Sequence, residues 1–310
     1  MCKVLSLNQQ EHEHRMQWDP FTGPLDMEYM NNLQEVTSMN FKKTYVPQEG
    51  FTKLCAIGES TMKYLEFGII ELSKDGELVF ETKDRETAFI ILGGKADFTS
   101  DQGTYLNVGK RRTVFEGRAE AVYYGPNATI KIYTPWKVKI AVCQTPCEEE
   151  VESELITQDK VKVTVLGKPT WRRETHFVVG DGNNAKRLCI GEAWCDPGNW
   201  AGFPPHKHDT DDMPTEGILD EVYYFLFQPE QGFAIQCTYK DGEFDEAYRV
   251  KNNDLVEFPC GYHTTVGAPG YNTYFLWAMA GEHKGFYRSN DPDHDWVAAV
   301  ENFMTRHKLG

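Results

Sequence analysis

Apolar residues in this chain come in short runs with a period of two, cut at close intervals by glycine, proline, asparagine and aspartate. That period puts alternate side chains on opposite faces of an extended strand. A first set of predicted strands covers Tyr64–Leu72, Glu77–Glu81, Thr87–Leu92, Lys95–Thr99, Ala121–Tyr124, Thr129–Thr134 and Val138–Cys143. A second set covers Val161–Leu166, Thr175–Val179, Arg187–Glu192, Val222–Phe227, Phe233–Tyr239, Glu246–Val250, Asp254–Phe258 and Tyr271–Ala280. Many short strands at regular spacing read as an all-β sandwich or barrel. Helix is expected in two places only: Met27–Glu35 within a polar, loop-rich opening, and Asp295–Met304, where Asp293 and Asp295 suit a helix start.

The acidic stretch Cys147-Glu-Glu-Glu-Val-Glu-Ser-Glu154 separates the two sets and reads as a solvated connector. The expected layout is an N-terminal domain over 1–146, a linker over 147–160 and a C-terminal domain over 161–310. The halves look like divergent copies of one unit. Glu86-Thr-Ala-Phe-Ile-Ile-Leu92 can be laid on Glu221-Val-Tyr-Tyr-Phe-Leu-Phe227, and Val114-Phe-Glu-Gly117 has the flavour of Val256-Glu-Phe-Pro-Cys-Gly261.

Composition narrows the classes. With 310 residues, of which 40% are hydrophobic and 13% aromatic, the chain can build one large or two medium cores. Its net charge of −15, without a dense Lys/Arg run, argues against a nucleic-acid partner. Eight cysteines without a CxxC pair, and an opening without the basic-then-apolar pattern of a secretory signal, suggest reduced thiols and a cytoplasmic protein. The longest apolar runs, Phe89–Leu92 and Tyr274–Ala280, are too short to span a bilayer, so no membrane role is expected.

Candidate chemistry concentrates in the second half. His206-Lys207-His208 follows Pro204-Pro205, Glu221 opens a strand-like run, and His263 follows Cys260-Gly261-Tyr262. On a strand, His206 and His208 share a face, which in a closed barrel is the interior, and a chelate becomes possible. Asp220 competes with Glu221, but Val222, Tyr224 and Leu226 on one face leave 221, 223 and 225 on the other. Three imidazoles and a carboxylate suit Zn²⁺, Mn²⁺, Fe²⁺ or Ni²⁺ without separating them. His12-x-His14 has the same spacing in polar, unpatterned surroundings with no third ligand nearby. No histidine lies between His14 and His176, so the first unit cannot build such a site and is expected to be a structural or dimer-forming partner.

This arrangement resembles the cupin superfamily in its two-copy, bicupin form. More closely, Pro197-Gly-Asn-Trp200, Phe203-Pro-Pro-His-Lys-His-Asp209, Leu219-Asp-Glu-Val-Tyr-Tyr-Phe225, Ala268-Pro-Gly-Tyr271 and Asp291-Pro-Asp-His-Asp-Trp296 resemble the 5-deoxy-glucuronate isomerases of inositol catabolism. The likeness runs through nearly all of the second half and more weakly through residues 60–145. Residues 1–46, and Asn252-Asn-Asp254 where the family has Asp-Gly-Asp, depart from the pattern.

The resemblance implies two tandem cupin (double-stranded β-helix, jelly-roll) barrels with a short C-terminal helix. It also implies a homo-oligomer and a metal-dependent aldose–ketose isomerisation of a small sugar acid. A base must then move a proton between adjacent carbons. Glu221, Tyr223 and Asp209 are candidates, as is Glu192, which lies in a segment similar to the family's strand before the metal loop; barrel packing is the plainer role for Tyr223 and Tyr224. Arg172, Arg173 and Lys207 are candidates for the substrate carboxylate, with one arginine of the pair expected to be solvated and Lys207 expected to point outward. A non-catalytic sugar-binding cupin, a 4-deoxy-5-keto-uronate isomerase and, more weakly, a dioxygenase are the alternatives.

Overall fold

Strands form where β-branched and aromatic residues alternate with polar ones, and sheets stack where both faces are apolar. The computed structural model describes residues 40–308. The expected helix Met27–Glu35 and the pair His12 and His14 lie outside them.

The first half supplies β2 (Gly50–Cys55), β3 (Glu66–Leu72), β4 (Glu77–Glu81), β5 (Arg85–Gly94), β6 (Ala96–Ser100), β7 (Gly103–Val108), β8 (Ala121–Tyr124), β9 (Thr129–Tyr133), β10 (Val138–Pro146) and β11 (Glu154–Ile156). They form a six-stranded sheet, β11-β8-β5-β10-β3-β2, and a four-stranded sheet, β4-β9-β6-β7. The second half supplies β12 (Lys162–Leu166), β13 (Arg173–Val179), β14 (Cys189–Cys195), β15 (Trp200–Lys207), β16 (Leu219–Gln228), β17 (Phe233–Lys240), β18 (Phe244–Lys251), β19 (Asp254–Phe258), β20 (Tyr262–Gly267), β21 (Asn272–Gly281) and β22 (Ser289–Asn290). With β1 (Lys42–Thr44) they form a seven-stranded sheet, β1-β19-β16-β21-β14-β13-β12, and a five-stranded sheet, β18-β17-β20-β15-β22. The result is two tandem cupin barrels. A closing helix, α1 (Trp296–Arg306), is tied to the second barrel by Glu301, which accepts from Gly167 N at 2.8 Å and Trp171 Nε1 at 3.1 Å.

Two stretches depart from the expected layout. β1 pairs with β19, so residues 42–44 belong to the second barrel's sheet, and β11, inside the expected linker, pairs with β8. The strands β15 and β20, which carry His206 and His263, are missing from the predicted set because Gly202, Pro204 and Pro205 interrupt β15 and Gly261 directly precedes the short β20.

Apolar side chains fill three layers. One lies inside the first barrel (Phe89, Phe98, Ile130, Ile132), one inside the second (Phe225, Phe258, Phe275), and one between the larger sheets (Phe67, Ile90, Tyr123, Val222, Tyr224, Leu276). Each such side chain is worth roughly 1.5–3 kcal/mol when fully buried, so the barrels do not need a metal to hold them together.

β16 divides strictly between two layers: Val222 and Tyr224 face the first barrel, Tyr223 and Phe225 face the interior of the second. On β5, Ala88, Ile90 and Leu92 face the second barrel, and Phe89 and Ile91 the interior of the first. The overlay of Glu86 on Glu221 is therefore out of phase by one residue, and the interior counterpart of Glu221 is Thr87. In that phase Glu86 matches Asp220, and the two do the same work in opposite directions. Asp220 Oδ2 accepts the backbone N–H groups of Lys63, Tyr64 and Leu65 at 2.5, 2.5 and 3.1 Å. Glu86 accepts those of Lys186, Arg187 and Leu188 at 2.8, 2.9 and 2.7 Å. Each barrel thus satisfies orphan donors of the other.

Candidate metal centre

Three strands converge to build the site. His206 on β15 lies directly opposite His263 on β20, with ring centroids 4.5 Å apart. His208 follows the end of β15 and brings Nε2 within 2.9 Å of Glu221 Oε2. His263 Nε2 lies 3.1 Å from the same oxygen. Donor atoms of His206, Glu221 and His263 all lie within 4.8 Å of one another, and all four side chains are buried.

The outward ring nitrogens fix the inward ones. His208 Nδ1 lies 2.7 Å from Leu219 O and His206 Nδ1 3.2 Å from Pro204 O. A carbonyl only accepts, so in each neutral ring Nδ1 carries the proton and Nε2 is left as a lone pair. His208 Nε2 then faces a carboxylate oxygen, acceptor against acceptor, a contact that needs a cation or proton between. His263 is held by stacking on Phe258 at 4.4 Å; its Nε2 only faces Glu221 Oε2 at 3.1 Å without a well-formed hydrogen bond, and its Nδ1 has no side-chain partner among the described residues. Buried nitrogens without partners are costly unless a ligand takes them. These residues fit a divalent cation.

Protonation agrees. Burial opposes ionisation of Glu221, but the contacts with His208 and His263 outweigh it and hold its carboxyl at about 2. Burial pushes His206 and His263 down, so both are neutral near pH 7; the charge of Arg288 adds to the shift of His206. His208 moves up because its contact with Glu221 outweighs burial, and the proton there is the one a cation would displace.

The cluster opens on a cavity of about 240 Å³ whose walls include His206, Glu221, Arg173, Tyr223, Trp277 and Arg288. A larger cavity of about 1130 Å³ is lined by Lys95, Arg112, Trp136 and Glu230 among others. None of the four centre residues lines it, whereas His206 and Glu221 line the smaller one.

Residues 41–297 match the family described as KduI/IolB. Relatives named 5-deoxy-glucuronate isomerase include one from Bacillus subtilis strain 168, 34% identical over 77% of this chain and 89% of its own length. Another, from Geobacillus kaustophilus, is 36% identical over 76% of this chain and 86% of its own. An IolB-like protein of Salmonella typhimurium superimposes with a TM-score of 0.81 at 28% identity, over 84% of this chain and all (100%) of that one. The chain belongs to the KduI/IolB family. The oxalate decarboxylase of Lactobacillus farciminis, with a TM-score of 0.61 at 9% identity over 88% of this chain and 94% of its own, shares the fold alone.

Within this KduI/IolB barrel the sequence-predicted residues part company. Arg173 enters the cavity and is buried, its Nη1 3.5 Å from Trp171 O, while Arg172 is exposed and pairs with Asp196 at 2.7 Å. Lys207 points away and binds Asp209, Thr210 and Glu216 at 2.6, 2.7 and 2.9 Å. Asp209 is further tied to Gly261 N at 3.0 Å. Tyr223 lines the cavity with its ring stacked on Phe275 at 4.4 Å. Tyr224 packs between the barrels and bonds Asn253 Oδ1 at 2.6 Å.

Glu192 does not reach the centre. It lies opposite Leu276 on the face of β14 turned to the first barrel, where Arg111 Nη1 donates to it at 3.0 Å and Tyr274 Oη at 2.7 Å. Sequence reasoning missed Arg288, Phe286 and Trp277. β22 sits beside β15, with Asn290 opposite His206 and Ser289 opposite Lys207, which carries Arg288 to the cavity; a two-residue strand has no periodic signal to reveal this.

Proposed function

We propose that the chain is a metal-dependent aldose–ketose isomerase that converts 5-deoxy-D-glucuronate to 5-dehydro-2-deoxy-D-gluconate in inositol catabolism. The observation that carries this reading is that one cavity is lined both by His206 and Glu221 of the four-residue cluster and by Arg173. A substrate with a carbonyl at one end and a carboxylate at the other matches that pairing. The names of the 34–36% identical relatives support it.

A bound Zn²⁺, Mn²⁺, Fe²⁺ or Ni²⁺ would polarise the substrate carbonyl and its neighbouring hydroxyl. The rest falls to the chain's own groups. The reaction takes the C–H proton from the carbon beside the aldehyde and returns it to the aldehyde carbon, while the hydroxyl proton passes between the two oxygens. No oxidant or reductant is consumed. Glu221 is the one acid among the described residues lining the cavity, so we assign it the carbon-to-carbon transfer, a role that requires it to hold the cation only weakly. Burial, with the charge of Glu221, pushes the Tyr223 phenol well up, so it stays protonated and suits donation to the oxygen on which charge develops. Arg173 takes the carboxylate. Trp277 and Phe275 wall the site against water.

The test is an NMR time course of metal-loaded protein with 5-deoxy-D-glucuronate, beside a chelated sample and D-glucuronate. The expected result is loss of the aldehyde signal and growth of the keto acid only when metal is present. No conversion with metal present would refute the assignment and leave a non-catalytic binder or an isomerase of another uronate.

A further inference from the structure

The segment 282–288 joins β21 to β22 and closes one side of the cavity. Phe286 is its anchor, 5.5 Å from the Trp277 ring and 6.4 Å from that of Phe177. The Arg288 guanidinium lies over the Phe286 ring at 5.2 Å, and its Nη1 is 3.3 Å from both nitrogens of His206. Pairing of Ser289 and Asn290 with β15 fixes the backbone just beyond. Arg288 is thus held between an aromatic shelf and the first metal-site imidazole, with little freedom to swing out.

No carboxylate pairs with it directly, although Glu221 and Glu301 lie near enough to attract it. Arg173, buried, and Arg288, half-buried, both line the cavity, and neither forms an ion pair with an acid among the described residues. Each instead repels the other across the cavity. A guanidinium drawn out of water without a carboxylate bound to it is unfavourable, and a second one nearby adds to that. Stability does not explain keeping them, and an anion placed between them would. Arg288 also abuts His206 of the cluster, so an anion held by the two arginines would sit beside the place where a cation would complete the His/Glu set.

We infer that Arg288 is a specificity-determining residue which, with Arg173, clamps the carboxylate of an open-chain sugar acid and so sets the distance of its carbonyl from the His/Glu cluster. This rests on the uronate reading of the cavity and adds to it the residue that distinguishes an acid from the neutral sugar. Two planar forks can each offer paired N–H donors to a carboxylate, a geometry that lysine cannot reproduce.

The experiment is isothermal titration of metal-loaded wild type, Arg288→Lys and Arg288→Met with 5-deoxy-D-glucuronate and with neutral 5-deoxy-D-glucose, followed by steady-state kinetics on both sugars. Metal content is measured for every sample, because Arg288 touches His206. Wild type should bind the acid about 30-fold or more tightly than the neutral sugar. Arg288→Met should erase that preference at full metal content, Arg288→Lys should recover part of it, and guanidinium ion added to Arg288→Met should restore acid turnover. Unchanged acid affinity in Arg288→Met, or equal losses for acid and neutral sugar, would overturn the inference. Wild type that binds the acid in an Arg288-dependent way without converting it would sink the isomerase reading and leave the clamp standing.

Discussion

The two barrels share a plan and differ in what they put inside it. β4 and β9 occupy the places in the first barrel's smaller sheet that β15 and β20 occupy in the second. Where β15 sets His206 opposite His263, β4 sets Phe80 opposite Ile130. Where Glu221 enters the second barrel, Thr87 enters the first and accepts a hydrogen bond from Gln144 Nε2 at 2.9 Å. The first barrel is packed to its centre with aromatic and aliphatic side chains. The second gives up part of that packing for the His206/His208/Glu221/His263 cluster and for two arginines without an ion pair among the described residues. One unit fills its interior with apolar packing, and the other keeps a polar cluster beside a cavity.

The sharpest way to break this contrast is His263→Ala. It should abolish metal retention and lower turnover by at least about 100-fold, beyond what losing even an outer-shell partner of a metal costs. Elemental analysis, kinetics and an unchanged far-UV circular dichroism spectrum would check it. The mirror change, Phe89→Ala in the first barrel, should cost about 3–5 kcal/mol in urea unfolding and leave the metal content of the folded protein intact.

Glu192→Ala tests the layer between the barrels. It should lower stability by about 3–5 kcal/mol, because Arg111 is left buried without its partner, while kcat of the protein that remains folded stays near wild type. A kcat loss beyond 100-fold at full metal content would return Glu192 to the chemistry.

The smallest expected effect is a pH dependence near the site. Burial raises Asp209 and Glu216, but their bonds to Lys207 and backbone N–H groups outweigh it and leave both below the usual carboxylate range. A depressed folded-state value means that stability is present above the unfolded value, about 4, and is lost as pH falls through the lowered ones. In metal-free protein, amide exchange over residues 209–216 should therefore be slower at pH 5 than at pH 3, after correction for intrinsic rates.

The clustering of His206, Glu221 and His263 was legible because alternation is a local rule. Val222 and Tyr224 on one face place Glu221 on the other, and the fold keeps that register. The same rule could not locate Glu192. β14 is buried on both faces, so its residues show no contrast between in and out. The overlay of the two halves slipped by one residue for the same reason, since β5 and β16 are apolar on both sides. Arg288 was invisible because its place depends on a two-residue pairing beside β15.

The measurement that tests the contrast most directly is metal stoichiometry by elemental analysis of purified, metal-saturated wild type and His263→Ala. One equivalent per chain in wild type and none in the variant would agree with a single working barrel. Two equivalents per chain, or one that survives His263→Ala, would contradict it.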